Sequence, residues 1–225
     1  MNAINPALLL DLLSLLVTLG YHPPCLKHAN GVVLDRPGKP SYDTPASFHI
    51  IVLKTVFKIL ERVMTVRLSA LARKANLLHP NQCASLTGLS TSDACATLIH
   101  EVSTLQRPRW AVSTLFLDIK AGFDNVNALK LRALLLAKSI PSYIVDWVTS
   151  FLSERSWTLV FQGAVGMKAP VEVGTRQGSP ISALLFLIYI APLNSTVPKG
   201  VMISYVDDFS LTVASDSHRT NIQRL

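Results

Sequence analysis

The stretch "ISYVDDFSLTV", residues 203–213, places two adjacent carboxylates between two strand-forming runs. β-branched and aromatic residues favour strands, whereas Asp is depleted in them. We therefore expect Asp207 and Asp208 at the tip of a strand-turn-strand. Asp is also common in ordinary turns, because it tolerates left-handed backbone and bonds its own backbone. The pair alone therefore does not define a site.

A third carboxylate ends another predicted strand, "AVSTLFLD", at Asp118. Asp118 lies far from the pair in sequence, so only the fold can bring the three together. Crowded carboxylates would repel one another and raise at least one pKa. A hard divalent cation relieves that repulsion, and Mg²⁺ often takes one or two protein carboxylates plus substrate phosphates. Two such ions about 4 Å apart can support an in-line phosphoryl displacement.

The composition indicates a packed globular chain of one large domain or two small ones. Hydrophobic residues make up 49% of the 225 residues and charged residues 16%, which argues against disorder. The formal net charge of +7 suits a polyanionic partner. The three cysteines show no CxxC or Cys/His spacing, so a zinc site or disulfide framework is not predicted. An intracellular, non-secreted location fits, with nucleus or cytoplasm left open.

Two apolar runs, residues 7–20 and 183–193, could suggest a membrane partner. Both are too short to span a bilayer, which needs about 20 apolar residues. No basic residue precedes the first run, so it is also a poor signal peptide. We expect an N-terminal amphipathic helix packed on a neighbour, and no membrane partner.

Apolar periodicity, capping residues and turn signals predict the remaining elements. In chain order they are a short strand and basic turn in "GVVLDRPGK", a helix from Ile50 to about Leu77, a helix opening at "STSDACATLIHEV", helices at 127–138 and 141–154, a hairpin formed by "SWTLVFQGAV" and "APVEVGT", and a helix after "RQGSP" with Ser179 as cap and Pro180 at its first position. Strands and helices mix without regular βαβ alternation, which predicts an α+β fold.

Three segments in this order, "FLDIKAGFDNV" (116–126), "GTRQGSPISALLF" (174–186) and "YVDDF" (205–209), resemble the central palm motifs of reverse transcriptases. The match is closest to polymerases of non-LTR (LINE-type) retrotransposons and covers roughly residues 25–215. The resemblance implies a right-hand polymerase fold: a palm with an antiparallel sheet backed by helices, helical fingers, and a thumb missing beyond Leu225. We expect an apolar helix at 1–24, a fingers-like region at 25–110 and a palm-like region at 111–225.

The resemblance also implies a metal site. Asp118 and Asp207 would be the main metal ligands and the catalytic carboxylates, with Asp208 as their less directly coordinating neighbour. The Ile119 carbonyl would be a further ligand. The implied cofactor is a pair of Mg²⁺ ions, with Mn²⁺ as an alternative.

Nucleotide-binding residues follow from the same motifs. Phe123 matches the bulky residue that crowds the sugar of the incoming nucleotide, where an aromatic ring would exclude a 2′-hydroxyl. Gln177 and Gly178 belong to the loop that contacts nucleotide and template. Arg36 and Lys39 match basic positions that reach toward the triphosphate.

The implied function is RNA-directed DNA synthesis on an RNA template and a DNA primer, with dNTP as substrate. The first alternative is an inactive retroelement remnant that binds nucleic acid nonspecifically; the second is an RNA-directed RNA polymerase, against which Phe123 argues. His49 stands where the family usually has Arg, and Arg176 where Pro is common. Neutral His cannot grip phosphate bidentately as Arg does. The oligomeric state is left open.

Overall fold

The computed structural model describes residues 5–35, 48–53, 58–83, 90–161, 163–176, 178–196 and 200–225. The α+β fold is confirmed, because helices and two four-stranded sheets alternate irregularly along the chain. The helices are α1 (Pro6–Thr18), α2 (Lys58–Lys74), α3 (Thr91–Leu105), α4 (Ala128–Ala137), α5 (Ser142–Leu152), α6 (Ser182–Ile190) and α7 (His218–Arg224). The strands are β1 (His28–Asp35), β2 (Phe48–Leu53), β3 (Gln82–Cys83), β4 (Ala111–Asp118), β5 (Arg155–Phe161), β6 (Ala164–Val171), β7 (Val201–Tyr205) and β8 (Asp208–Ser215).

The chain divides into two compact units, each built from two separate segments. The first unit comprises Met1–Leu71 and Phe123–Ser182, and the second comprises Ala72–Gly122 and Ala183–Leu225. Each unit contains one of the two sheets. Within the described ranges, no helix has both the length and the apolar character needed to cross a membrane.

The sheet of the first unit has the order β2-β1-β5-β6. β1 pairs antiparallel with β2 and parallel with β5, and β5 and β6 form an antiparallel hairpin. Helices α1 and α4 both contact α5. In that helical layer, the rings of Trp147 and Phe151 stack at 5.2 Å, and the His22 ring meets both edge-on. These three side chains lie in the core of the unit.

The sheet of the second unit has the order β3-β7-β8-β4. β4, β7 and β8 pair antiparallel, and the short β3 runs parallel to β7. Helix α3 contacts β7 and β8, and α7 contacts β4 and β8. Helix α6 is apolar around its whole circumference, as expected of a buried helix. Gln82, itself buried, donates its Nε2 proton to the Leu187 carbonyl of this helix at 3.1 Å.

Two predicted elements were wrong in part. The helix predicted from Ile50 begins only at Lys58, because residues 48–53 form strand β2. The run "FHIIVL" is rich in strand-forming residues, and this preference prevailed over the helical spacing extrapolated back from α2. The β5–β6 hairpin exists, but β5 ends at Phe161 and β6 begins at Ala164, both inside the predicted first strand.

The segment before α6 also differs from its prediction. The helix begins at Ser182, after turn residues 180 and 181, so Pro180 is not its first residue. The Ser179 hydroxyl does not cap this helix and instead donates to Glu61. Helix α7, which was not predicted, starts with Ser217 as its cap.

Candidate active site

Strands β4 and β8 bring Asp118 and Asp208 directly opposite each other. They end an unbroken antiparallel register that runs from Ala111 opposite Ser215 to Asp118 opposite Asp208. Residues directly opposite in such a pair point to the same face of the sheet, with Cα atoms about 4.5–5.5 Å apart. Both carboxylates are exposed, so solvent and solutes can reach them.

Asp207 lies in the turn that precedes β8. Its carbonyl accepts a hydrogen bond from the Ile119 backbone N–H at 3.2 Å, which extends the β4–β8 ladder by one bond. The strand-turn-strand predicted from the sequence is therefore present. Its turn consists of residues 206 and 207, since Tyr205 pairs with Asp208.

The first residue of that turn has a strained backbone. Val206 has φ 55°, in the left-handed region that a β-branched residue rarely adopts. Two-residue hairpins favour turns with positive φ at the first central position, because their twist matches that of the strands. The short turn therefore imposes a conformation that Val disfavours, and the ladder on both sides maintains it.

The carboxylates fit a divalent metal ion in their chemistry. Asp118 and Asp208 provide two oxygen-bearing ligands on one sheet face, and hard cations such as Mg²⁺ prefer oxygen. Across the described ranges, no group of three or more His, Cys, Asp or Glu side chains is arranged to hold a metal. Water or substrate phosphate would have to supply the remaining ligands, as is common for Mg²⁺.

Helix α6 supports the turn that follows Asp118. Ala121 has φ 53°, and a Cβ built on Gly122 would lie 2.7 Å from Cζ of Phe186 and 3.2 Å from Cγ2 of Ile119. Only a residue without a side chain lets this turn approach the Phe186 ring so closely.

A second cluster, in the first unit, holds Phe123. Residues Phe123–Asn125 form a 3-10 turn, and the Phe123 carbonyl accepts from the Thr175 N–H at 2.7 Å. The Gly174 N–H donates to the Val126 carbonyl at 2.9 Å. Gly174 has φ 84°, and a Cβ there would lie 2.7 Å from the Asp124 Cα and carbonyl oxygen. The fold therefore joins the turn carrying Phe123 to the segment leading into "RQGSP".

The "RQGSP" loop is attached to α2 through Glu61. The Ser179 hydroxyl donates to Glu61 Oε2 at 2.6 Å, and Arg176 Nη1 lies 3.9 Å from Glu61 Oε1. Arg176 Nη1 also donates to the Leu26 carbonyl at 3.0 Å. Burial lowers the pKa of Arg176, and the Glu61 carboxylate partly offsets this. Gly178 is exposed at φ 79°, a backbone conformation that favours glycine.

Arg155, at the start of β5, is a further buried support. Its Nη2 donates to the carbonyls of Val173 at 3.1 Å and Gly174 at 2.6 Å. Burial, and secondarily the charge of Arg176, lowers the Arg155 pKa to about 10. Three carbonyl bonds, including one from Nε to Leu152, stabilise this guanidinium away from water.

The family model described as "Reverse transcriptase (RNA-dependent DNA polymerase)" matches residues 37–225. This chain belongs to the reverse transcriptase family. Three relatives are a probable RNA-directed DNA polymerase from transposon X-element of Drosophila melanogaster (26% identity over 89% of this chain), the RNA-directed DNA polymerase from mobile element jockey of the same species (25% over 88%), and a transposon TX1 protein of Xenopus laevis (26% over 74%). The chain spans 22%, 22% and 14% of their respective lengths.

Solved structures place this reverse transcriptase chain in the right-hand polymerase fold. Apo telomerase from Candida tropicalis, truncated from its C-terminal domain, aligns with a TM-score of 0.59 at 13% identity. The alignment covers 90% of this chain and 46% of the telomerase chain. The fold expected from the resemblance is thus confirmed, as is the likeness to LINE-type transposon polymerases. Reverse transcriptases generally use divalent metal ions, which agrees with the paired carboxylates.

Several predicted site residues of this chain lie outside the described residues. These are Arg36, Lys39 and Gln177. The His49 backbone lies in β2 opposite Leu34. The roles of the carboxylates, Ile119, Phe123 and Gly178 stay predictions.

Sequence reasoning missed Glu61 and Arg155 entirely. Arg176 was noted only as a departure from the family pattern. The available signal for Glu61 was that it is the one acidic residue of the helical stretch "KILERVM". Its partner Ser179 lies 118 positions away in the sequence, so this signal could not identify the pair.

Proposed function

We propose that this chain is the catalytic core of an RNA-directed DNA polymerase. The primer 3′-hydroxyl attacks the α-phosphate of a bound dNTP, a new phosphodiester bond forms, and pyrophosphate leaves. The in-register juxtaposition of Asp118 and Asp208, next to the turn that carries Asp207, is the observation that supports this most. Relatives named as RNA-directed DNA polymerases add support.

In this proposal, Asp118, Asp207 and Asp208 would hold two Mg²⁺ ions, with the Ile119 carbonyl as a further ligand and Mn²⁺ as a substitute metal. When bound, such ions activate the attacking hydroxyl and stabilise the leaving oxygen of an in-line displacement. Asp118 and Asp208 would orient these charges from the ends of two paired strands rather than from a loop, which favours precise geometry.

The nucleotide-binding residues divide into three roles. Phe123 excludes the ribose 2′-hydroxyl and thereby selects dNTP over rNTP. Gln177 and Gly178 contact the nucleotide and template, and the exposed Gly178 permits close backbone approach. Arg36 and Lys39 offset the triphosphate charge. The RNA template and DNA primer are the macromolecular partners, bound by fingers-like residues 25–110 and palm-like residues 111–225.

Primer extension on poly(rA)/oligo(dT) with Mg²⁺ tests the proposal. The wild-type chain should extend the primer with dTTP, and Asp118→Asn or Asp207→Asn should reduce the rate by at least about a hundredfold, as loss of electrostatic stabilisation commonly does. Asp216→Asn is the matched control, because Asp216 is an exposed carboxylate of the same unit outside the site. It should retain wild-type rates.

Three outcomes would contradict the proposal. Extension that survives Asp118→Asn would refute the carboxylate assignment. A wild-type chain that fails to extend any primer would favour the inactive remnant. Extension with UTP as efficient as with dTTP would refute the proposed exclusion of ribonucleotides by Phe123 and favour an RNA-directed RNA polymerase.

A further inference from the structure

Glu61 contacts Arg176 and Ser179, the two residues on either side of Gln177 and Gly178 in the sequence. One carboxylate oxygen accepts from the Ser179 hydroxyl at 2.6 Å, and the other lies 3.9 Å from Arg176 Nη1. The Glu61 and Arg176 side chains are only 6% and 10% exposed, and Ser179 is buried as well. One side chain thus fixes the residues immediately before and after the proposed template and nucleotide contact.

The burial of this cluster makes its contacts stronger than those of a surface ion pair. A buried carboxylate is costly unless it is paired and hydrogen-bonded, and a hydroxyl bonded to a carboxylate at 2.6 Å is a charge-assisted hydrogen bond. Glu61 lies in the first turn of α2, where the helix dipole further favours a negative charge. The α2 dipole therefore stabilises the Glu61 carboxylate in the position from which it contacts the loop.

The same loop is fixed from its N-terminal side. Arg155 donates to the carbonyls of Val173 and Gly174, and the Thr175 N–H donates to Phe123. Between these anchors and Ser179, the exposed Gly178 is the described residue that faces solvent. Buried supports on both sides of one exposed residue are the arrangement expected of a preorganised contact.

We propose that Glu61 is a positioning residue for the exposed Gly178, acting through Arg176 and Ser179, and that it sets the affinity for incoming dNTP. This inference rests on the proposed polymerase function, which gives Gly178 its contact with nucleotide and template. Arg176, which departs from the Pro of the family pattern that the sequence resembles, supplies the charged partner that a proline cannot. Side-chain contacts, and not a proline ring, therefore fix the position of Gly178 in this chain.

Glu61→Gln tests the inference, with Glu172→Gln as the matched control because Glu172 is exposed in the same unit. Amide hydrogen exchange is followed in the peptide 176–182 of the free protein, and dNTP KM and kcat are measured in primer extension. Glu61→Gln should speed exchange in this peptide at least tenfold and raise the dNTP KM at least fivefold, with kcat within about twofold. Glu172→Gln should change none of these quantities.

A double variant separates positioning from folding. Glu61→Gln leaves Arg176 buried without its carboxylate, which destabilises the fold, whereas Glu61→Gln combined with Arg176→Met removes both charges and should recover thermal stability. Exchange in 176–182 and the dNTP KM should stay elevated in this double variant. The inference is overturned if the exchange rate and the dNTP KM both return to wild-type values once thermal stability recovers. It is also overturned if Glu61→Gln leaves the exchange of this peptide unchanged. If the wild-type chain has no polymerase activity, the proposed function fails, and the exchange result alone still decides whether Glu61 positions Gly178.

Discussion

Val206 shows how a single residue can store strain beside the carboxylates. Its φ of 55° is imposed by a two-residue turn between two paired strands. Such a conformation costs about 1–3 kcal/mol for a non-glycine residue and persists only where the surroundings impose it. Here the surroundings are the β7–β8 and β4–β8 ladders, so the strain is offset by the same pairing that brings Asp118 and Asp208 together.

Asparagine tolerates left-handed backbone much better than valine does. We therefore expect Val206→Asn to raise the free energy of unfolding by about 1 kcal/mol. Urea denaturation measures this change. Val201→Asn, in the regular part of β7, should instead lower the free energy of unfolding, because Asn is depleted in strands. A Val206→Asn protein less stable than wild type would show that the turn is not strained.

At the scale of elements, helix α3 begins with a complete capping box. The Ser90 hydroxyl accepts from the Asp93 N–H, and the Asp93 carboxylate accepts from the Ser90 N–H and hydroxyl at 2.7 and 2.6 Å. These bonds from Ser90 lower the pKa of Asp93 below its usual 3.8. The ionised form of Asp93 is therefore more strongly favoured in the folded protein than in the unfolded chain.

This pKa shift predicts a pH dependence. Since the folded-state pKa lies below the unfolded value, the contribution of Asp93 to stability is complete above about pH 4. It disappears as the pH falls through the lowered pKa. Asp93→Asn should therefore be less stable than wild type at pH 6, with a difference that shrinks at pH 2–3, as read from urea midpoints. In a Ser90→Ala background the substitution should lose most of its effect, and an effect that persists there would show that the box is not its cause.

Local signals predicted the elements whose causes are local. The strand ending in Asp118 and the α3 cap were found where residue pattern and capping chemistry agree. The motif order predicted that Asp118 lies near the Asp207–Asp208 pair, and the β4–β8 register places Asp118 opposite Asp208. Strand β2 was missed because the helical spacing of α2 was extrapolated back over "FHIIVL", although this run is rich in strand-forming residues. The Glu61–Ser179 bond depends on residues from two distant segments, and no local pattern encodes it.

At the scale of the whole molecule, the excess of basic residues supports the proposed nucleic-acid partners. The formal net charge is +7 with only 14 acidic residues. Charge of this sign attracts phosphate backbones without reading sequence. Binding that depends on it releases counterions and weakens as salt is added.

We expect the affinity for a fluorescent RNA/DNA hybrid to fall at least about tenfold between 50 and 200 mM KCl, which corresponds to roughly two phosphate contacts. Fluorescence anisotropy across a salt series measures the slope. Asp118→Asn should leave the slope unchanged, because that residue is proposed to act on the metal and not on the backbone. Affinity independent of salt would contradict a charge-driven interface.

The segments of the two units alternate along the chain, which has a consequence for biosynthesis. Strand β1 leaves the ribosome long before its parallel partner β5, because the whole Ala72–Gly122 segment of the other unit is translated between them. That segment must itself wait for β7 and β8, which are translated last. Neither sheet can close during early translation, so both expose unpaired strand edges to other nascent chains. Slower decoding between β5 and β8 would prolong that exposure, so chaperone demand should depend on codon usage in that part of the message.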